Sequence, residues 1–359
     1  MRQLILGVLF CIAAWPAWAS VEYFSAQVPV SSQSANDRKA ALSQAMASVL
    51  VKVSGSLDAP ESEQGRIAQA NAGAYVQQYR YVQPTQKQRE QGFTLLLKAD
   101  FDPDKVRALL KDSGQGVWPS NRPQTLIWAI EDTPENGRQI IADPENPRVA
   151  ALFERAQARG LPILWPLWDL DDQFMLPAES LWALDDEAIL AASARYDVNT
   201  VLIARYSETT SGEWFATWQF YHAGEQRSYD YRTLNEGELG ALGIDPLVAF
   251  LAQRYAVQNS TDDSELLQVV ALQGVDNYHQ YSVALEYLEK QSLIRQVSLV
   301  GVRDSELTLH ILLSGSWQQL ADALALDRKV QLLNPPDNLQ AQSVLGAPDY
   351  PAQLLWLGR

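Results

Sequence analysis

Residues 266–333 read LLQVVALQGVDNYHQYSVALEYLEKQSLIRQVSLVGVRDSELTLHILLSGSWQQLADALALDRKVQLL. Short apolar or alternating runs, which are typical of strands, are separated by two stretches with helical hydrophobic spacing. The pattern predicts the order strand, helix, strand, strand, helix and strand, over residues 266–272, 276–288, 297–302, 307–314, 316–324 and 329–333.

The clearest strand of this region lies at residues 307–314, because apolar and polar side chains alternate there. One face carries Leu307, Leu309, Ile311 and Leu313, and the other carries Thr308, His310, Leu312 and Ser314. The mostly apolar run at 266–272 favours a strand that is buried on both faces. We expect Asp276 and Ser316 to cap the two helices and Pro335-Pro336 to end the last strand.

This βαββαβ order is the ferredoxin-like arrangement, a fold that hosts many functions and identifies none. Upstream, residues 20–113 and 124–257 also mix strand and helix patterns. In the first of these units, residues 21–30 and 93–101 read as strands and residues 61–79 as helix. The fold class is therefore α/β (α+β), with two or three small α/β domains.

Domain boundaries are predicted where polar, Gly- or Pro-rich stretches occur, at residues 114–123 and 258–264. The predicted domains are an N-terminal α/β domain (20–113), a middle α/β domain (124–257) and a C-terminal ferredoxin-like domain (265–333). A Pro-rich tail (334–359) follows, and we expect its apolar end to dock on the folded body. In the middle domain, Trp214, Ala216, Trp218 and Phe220 share one strand face and are predicted to be core.

The first 19 residues predict the compartment. Arg2 precedes an apolar stretch, and Ala17 and Ala19 form a small-x-small cleavage site, so residues 1–19 read as a cleavable secretory signal peptide. We therefore expect a periplasmic protein that is cleaved after Ala19. The single cysteine, Cys11, lies in this segment, which excludes disulfides and thiol chemistry from the mature chain. No later apolar run reaches transmembrane length.

The formal net charge of −15 bears on the partners of the protein. A chain this acidic is repelled by phosphate backbones, so we expect no nucleic-acid partner. The same repulsion argues against anionic lipid surfaces. A high net charge also keeps a protein soluble, and solubility is the simpler explanation of this acidic composition.

Aromatic and acidic residues are concentrated in one stretch that we predict to be a loop, residues 165–182. The candidate binding residues there are Trp165, Trp168, Asp169, Asp171, Asp172 and Trp182. Aromatic rings beside carboxylates could stack on a sugar or hold a peptide of a partner protein. Alternatively, the rings fold back and seal the edge of the core.

The sequence offers little support for a metal or catalytic site. A calcium loop that starts at Asp169 would need Gly at its sixth position and Glu at its twelfth, where Phe174 and Ser180 stand. The three histidines, His222, His279 and His310, are scattered without metal-ligand spacing. We therefore assign no catalytic residue, no metal and no cofactor, and the sequence leans against enzymatic activity without excluding it.

Four segments together resemble a known protein family. They are VSSQSANDRKAALSQAMASVLVKVSGS (30–56), LPILWPLWDLDD (161–172), AASARYDVNTVLIARYSETTSGEWFATWQFYH (191–222) and ALEYLEKQSLIRQVSLVGVRDSELTLHILLSGSWQQLADALALDRKVQLL (284–333). This combination resembles the exported gammaproteobacterial family catalogued as domain of unknown function 2066. The resemblance implies an exported protein and brings no functional residues with it.

A looser resemblance concerns the middle domain. Its helix-to-strand passage RYDVNTVLIARYS, followed by a hairpin, is similar to the α/β domains of flagellar assembly protein T, curli secretion factors and outer-membrane activators of penicillin-binding proteins. This similarity is at the level of the fold and implies a role in envelope assembly by analogy alone.

Three hypotheses follow from the sequence. The first is a non-catalytic module that binds another component of the cell envelope, a protein or a glycan. The second is a hydrolase of peptidoglycan or a related glycan, with carboxylates near residues 169–172. The third is a binder of small ligands in a cleft between domains. The partner, the biological process and the oligomeric state remain open.

Overall fold

The computed structural model describes residues 22–257, 266–291, 293–313, 316–333, 346–347 and 351–358. These residues form three β-sheets and eleven α-helices, so the predicted α+β class is confirmed. The predicted signal peptide with Cys11, and the predicted linker at 258–264, lie outside the described residues. No helix in the described part of the chain is long and apolar enough to cross a membrane.

The N-terminal sheet is antiparallel and has three strands, β1 (Ser25–Pro29), β2 (Val76–Val82) and β3 (Leu96–Phe101), in the order β1–β3–β2. Its helices are α1 (Ala35–Ser54), α2 (Glu63–Ala70), α3 (Gln86–Glu90) and α4 (Pro103–Asp112). The prediction of a helix over residues 61–79 is wrong for the second half of that range. Residues 76–82 pair with β3 instead, because their Tyr and Val side chains suit a strand and a partner strand is available.

Helix α1 begins and ends where the sequence provides caps. The Ser34 hydroxyl accepts a hydrogen bond from the backbone N–H of Asp37, and Gly55 ends the helix at φ 73°. A Cβ at Gly55 would lie 2.4 Å from the Cβ of Ala252 and 3.0 Å from the Trp118 ring. The glycine is thus required both by the backbone conformation and by close packing against residues beyond the N-terminal sheet.

The middle sheet has six strands: β4 (Thr125–Thr133), β5 (Gly137–Ile140), β6 (Ile163–Leu164), β7 (Thr200–Glu208), β8 (Trp214–His222) and β9 (Glu225–Thr233). The order is β5–β4–β7–β8–β9, with β6 also paired to β4. Strands β4, β6 and β7 run parallel, while β7, β8 and β9 form an antiparallel meander. Parallel strands need crossover connections, and helices supply them here.

Helices cover both faces of the middle sheet. They are α5 (Pro147–Arg159), α6 (Leu170–Met175), α7 (Ala178–Ala183), α8 (Asp186–Ser193) and α9 (Leu239–Tyr255). Ile127 of β4 belongs to the core that α5 and α9 complete, and its neighbour Trp128 belongs to the core under α6, α7 and α8. The predicted core positions Trp214, Ala216, Trp218 and Phe220 are confirmed, since all lie in the first of these cores.

The C-terminal sheet has five strands: β10 (Leu266–Gln273), β11 (Ile294–Arg303), β12 (Glu306–Leu313), β13 (Val330–Leu332) and β14 (Ala352–Trp356). With helices α10 (Tyr278–Glu289) and α11 (Trp317–Asp327), the predicted βαββαβ order is confirmed. The strand order in the sheet is β11–β12–β10–β14–β13. Strand β14, which comes from the tail, lies between β10 and β13, the first and last strands of the ferredoxin-like unit.

Two local predictions in this unit are wrong. Asn277, not Asp276, caps α10, since its side chain accepts a hydrogen bond from the N–H of Gln280 at 3.0 Å. Strand β10 is not buried on both faces, because helices cover only one side of the described sheet and Leu267 is exposed. The predicted docking of the apolar tail is confirmed for Leu354 and Trp356, which are buried in the core of this sheet.

Residues 114–123, predicted as a linker, are packed tightly between the sheets. Trp118 is buried, and its backbone N–H donates a hydrogen bond to the carbonyl of Val53 at the end of α1. Arg122 donates hydrogen bonds to the carbonyls of Lys52, Trp118, Pro119, Arg159 and Gly160. Asn121 donates to the carbonyl of Ala323 in α11 at 2.9 Å. This segment therefore contacts helices of all three sheets.

Candidate functional site

Residues 165–182 lie on the middle sheet and fold into the two short helices α6 and α7, so the prediction of a loop here is wrong. Helix α6 begins where an acidic residue supplies a capping group, because the Asp169 carboxylate accepts a hydrogen bond from the N–H of Asp172 at 3.0 Å. Leu176 and Leu181 then pack on the sheet and fix the segment in place.

Trp168 points into the protein. Its ring meets that of Trp128 edge to face, with 4.9 Å between the ring centroids. Its backbone adopts φ 51°, a conformation that residues with a Cβ rarely take. The N–H of Trp168 donates to the carboxylate of Asp172 at 2.9 Å, which helps to hold this conformation.

Asp172 is buried and organises the surrounding polar groups. Besides the N–H of Trp168, its carboxylate accepts hydrogen bonds from the Tyr196 hydroxyl and, at 3.1 Å, from Arg195. Burial, together with the hydrogen bond to Asp172, raises the pKa of Tyr196 to about 12. Tyr196 therefore stays protonated at neutral pH and acts as a donor to Asp172.

Asp169 forms a two-pronged ion pair with Arg195, in which both nitrogen–oxygen distances are 2.7 Å. This hydrogen-bonded partner lowers the pKa of Asp169 to about 2. The three acidic residues that were considered for calcium therefore have different surroundings. Asp169 and Asp172 bind Arg195, whereas Asp171 is exposed.

The two outer tryptophans have separate surroundings. Trp165 is partly buried; it packs against Phe153 and donates from its ring nitrogen to the carbonyl of Ala142 at 2.9 Å. Trp182 is partly buried as well, with the guanidinium groups of Arg138 and Arg205 at 4.4 and 5.4 Å from its ring centroid. The structure therefore brings Trp168, Asp169 and Asp172 together and leaves Trp165 and Trp182 in contacts of their own.

Three large apolar side chains of the same segment point outward. Leu167, Leu170 and Phe174 are 72%, 81% and 86% exposed. Leu170 and Phe174 lie four positions apart on α6, so their side chains are neighbours on the helix surface. We call these three residues the apolar patch. They are not among the residues predicted from the sequence, although the i, i+4 spacing of Leu170 and Phe174 was a visible signal.

Acidic residues surround the apolar patch along the chain. The exposed carboxylates of α6, α7 and α8 and the turns between them are Asp171, Glu179, Asp185, Asp186 and Glu187. The basic residue of this stretch, Arg195, is already paired with Asp169 and Asp172. Glu179 is paired with Arg138 at 2.7 Å, and the remaining carboxylates give residues 171–187 a net negative charge.

His222 is a buried polar residue to which the sequence assigned no role. Its Nδ1 lies 2.8 Å from the Thr200 hydroxyl, and its Nε2 lies 2.7 Å from the Tyr255 hydroxyl. Burial lowers the pKa of His222 to about 4, so the ring is neutral at pH 7. Over the described ranges, no three His, Cys, Asp or Glu side chains are grouped as a metal ion would require.

Comparison with protein families gives a match over residues 17–119. The matching family is described as "Domain of unknown function (DUF8605)". Its number differs from that of the family the sequence resembles, so the resemblance is confirmed only as far as a domain of unknown function. No match is found among curated proteins.

Several solved structures are similar to parts of the chain. The C-terminal domain of LpoB from Salmonella enterica is 14% identical, over 31% of this chain and 82% of that chain, with a TM-score of 0.23. A competence or damage-inducible protein from Enterobacter asburiae is 14% identical, over 42% of this chain and 91% of that one, with a TM-score of 0.19. Similarities this weak support no functional argument.

Proposed function

We propose that this protein is a periplasmic, non-catalytic module that binds another protein of the cell envelope. The observation that carries this proposal is the apolar patch, in which three large side chains are more than 70% exposed within eight residues. Contiguous exposed apolar surface is characteristic of interaction sites. The signal peptide predicted from the sequence supplies the compartment.

The apolar patch is presented by a rigid base, which favours binding over mobility. Trp168 packs under it, and Asp172 connects the backbone of Trp168 to Tyr196 and Arg195. Because these buried contacts fix the turn before α6, the backbone that carries the exposed side chains is held in place before a partner arrives. Preorganisation of this kind reduces the entropy lost on association.

The chemistry of the surface defines the partner. The apolar patch requires an apolar pocket or groove, and the surrounding carboxylates favour basic residues at the rim of that pocket. We therefore expect a protein whose binding surface has an apolar centre and lysine or arginine at its edge. In this arrangement, Asp169 and Asp172 serve as the frame of the site and not as contacts.

The glycan hydrolase hypothesis is less well supported by the geometry. A general acid must hold a proton near neutral pH, whereas the ion pair with Arg195 keeps Asp169 ionised, at a pKa of about 2. Asp172 is buried beneath Trp168 and Tyr196, where its oxygens already accept hydrogen bonds. Asp169 has both its oxygens bound to Arg195, and Asp172 is buried, so neither carboxylate offers a free oxygen to a substrate in this arrangement.

The proposal is tested by the double variant Leu170→Ser/Phe174→Ser, purified from the periplasm together with its partners. Both side chains are exposed, so the variant should fold like the wild type. Leu57→Ser/Ile67→Ser is a matched control, since these apolar residues are also exposed but lie at the N-terminal sheet.

The expected result is a specific co-purifying envelope protein that is retained by the wild type and the control and lost from the patch variant. Circular dichroism and thermal melting should show that all three proteins are folded. Equal recovery of the same partner with the patch variant would refute a binding role for this surface.

A further inference from the structure

A groove of about 390 Å³ lies among the helices of the N-terminal sheet, between the start of α1 and the end of α2. The α1 side consists of Ala35, Arg38, Lys39 and Leu42. The opposite side is formed by residues 69–74, which comprise the end of α2 and the short 3₁₀ helix Ala72–Ala74. The volume is within the range of small-molecule sites, and we call this feature the α1–α2 groove.

Two cations line the α1–α2 groove, and the protein neutralises neither of them. Within the described part of the chain, the side chains of Arg38 and Lys39 form no ion pair and no hydrogen bond. None of the residues that line the groove with them is acidic. The whole chain has a formal charge of −15, so two unpaired cations in one groove run against its general composition.

The position of these cations in α1 does not explain them. Arg38 and Lys39 are the fourth and fifth residues of the helix, near the end where the helix dipole favours anions. Neither has a carboxylate three or four positions away, so no ion pair along the helix holds them. The end of α2 favours nearby cations, but its carbonyls accept no hydrogen bond from either side chain.

Arg38 is oriented by an aromatic ring. Its guanidinium carbon lies 5.7 Å from the centroid of the Tyr79 ring, within the distance of a cation–π contact. Such a contact needs no carboxylate or carbonyl acceptor, so the five N–H donors of Arg38 are not bonded to the protein. The α1–α2 groove therefore presents a planar donor group that is held in place and can bind an anion.

We infer that the α1–α2 groove binds a small ligand that carries a carboxylate next to an aliphatic group, as the C-terminus of a short peptide does. Arginine and lysine both suit carboxylate oxygens, and the arginine fork can bind two oxygens at once. Most of the other lining side chains are small and apolar, so they leave room for a short aliphatic group and provide apolar contacts for it.

A carboxylate fits the α1–α2 groove better than a phosphate does. Because the whole chain is acidic, it repels a ligand with two or more negative charges more strongly than a ligand with one. A free phosphate also has no apolar part to contact the alanine side chains of the wall. Two cations are sufficient to bind a single carboxylate.

The test uses N-acetyl-alanyl-alanine as the probe, and its C-terminal amide, which lacks the charge, as the matched control ligand. Isothermal titration calorimetry at low ionic strength measures their binding to the full mature chain. The variant Arg38→Gln/Lys39→Gln removes both cations of the groove. Arg66→Gln/Lys87→Gln changes the net charge equally at exposed positions that do not line the groove. Circular dichroism checks that both variants are folded.

We expect the wild type and the control variant to bind the acid equally, and the groove variant to bind it at least about tenfold more weakly, since a charge-assisted hydrogen bond contributes about that factor. The wild type should also bind the amide at least about tenfold more weakly than the acid, a comparison that involves no change in the protein.

Three results would overturn the inference: no binding of the acid, equal binding of acid and amide, or equal binding of the acid by the two variants. Inorganic phosphate is titrated as well. If it binds at least as tightly as the acid, the assignment of a carboxylate ligand is wrong.

Discussion

Asp171 and Asp172 are adjacent in the sequence and differ completely in their surroundings. Asp172 is buried and accepts three hydrogen bonds, whereas Asp171 is exposed. We predict that Asp172→Ala lowers the free energy of unfolding by about 3 kcal/mol, because it leaves the partners of a buried charge unpaired. Asp171→Ala should change it by less than about 0.5 kcal/mol.

Urea denaturation, followed by tryptophan fluorescence, measures both variants. The emission spectrum of the Asp172→Ala protein should also shift, since Trp168 loses the group that holds its backbone. Equal effects of the two substitutions would show that Asp172 does not stabilise the turn.

His222 gives the protein a pH dependence with a defined sign. Its pKa is lowered from 6.5 to about 4 in the folded state, so the unfolded chain binds more protons between these values. The stability associated with the neutral ring is fully present above about pH 6.5 and is lost as the pH falls towards 4. We expect a loss of about 3 kcal/mol across this window, since one pKa unit corresponds to about 1.4 kcal/mol.

Denaturation series at several pH values test this prediction in the wild type and in His222→Gln. The variant should be less stable at pH 7 and should have a flatter pH profile between 6.5 and 4. His279→Gln, which replaces an exposed histidine, should retain the profile of the wild type. An unchanged profile in His222→Gln would assign the pH dependence to other groups.

At single residues, a sequence pattern predicted burial correctly where the pattern had one physical explanation. The alternation of Trp214, Ala216 and Trp218 could mean only a shared strand face, and all three are core. It did not distinguish Asp171 from Asp172, because the partners of Asp172 include Arg195 and Tyr196, more than twenty positions away. No local pattern contains that information.

At the scale of elements, strand β14 shows how a distant segment completes a sheet. It runs parallel to β10 and antiparallel to β13, and Leu354 at its centre is buried between the two. Leu354→Ala should lower the free energy of unfolding of the C-terminal sheet by about 3 kcal/mol, the usual effect of a cavity in a core. Leu357→Ala, at a 40% exposed position, should cost less than about 1 kcal/mol.

Hydrogen exchange measured by mass spectrometry can localise the effect of Leu354→Ala. Faster exchange should appear in β10 and β13 and not in β4 or β7. If β10 and β13 stay protected in that variant, β14 would be a peripheral addition to the sheet.

The elements that the sequence predicted correctly are those with strong local periodicity, such as β3 and β12. Residues 76–79 were predicted as helix because many Gln and Ala residues nearby favour helix, and pairing with β3 overrides that preference. The insertion of β14 could be foreseen only as docking of an apolar tail, because periodicity does not reveal which strands pair.

At the scale of the whole molecule, Arg122 connects the N-terminal and middle sheets. It is buried, it lies 4.0 Å from the centroids of both the Tyr23 and Trp118 rings, and burial lowers its pKa to about 9. Arg122→Lys cannot reproduce a planar group with five donors. We predict a loss of about 2–4 kcal/mol in unfolding free energy and faster proteolysis within residues 114–123.

The matched control is Arg80→Lys, since Arg80 is exposed and its nearest carboxylate, that of Asp100, lies 4.0 Å away. Thermal melting and limited proteolysis compare the two variants. If Arg122→Lys melts and is cleaved like Arg80→Lys, the junction does not depend on the guanidinium. From the sequence, residues 114–123 read as a linker because Gly and Pro are frequent there, while three of the carbonyls that bind Arg122, those of Lys52, Arg159 and Gly160, are far away in the chain.

The measurement that tests the central claim most directly is photo-crosslinking in living cells from position 174. A photoreactive amino acid replaces Phe174 of the apolar patch in one strain and Asp171, on the same helix, in another. Wild-type cells without the photoreactive residue provide the background. We predict one dominant protein adduct from position 174, which disappears when Leu170→Ser is added and is weaker from position 171. No adduct from position 174, or an adduct that survives Leu170→Ser, would contradict a docking role for the apolar patch.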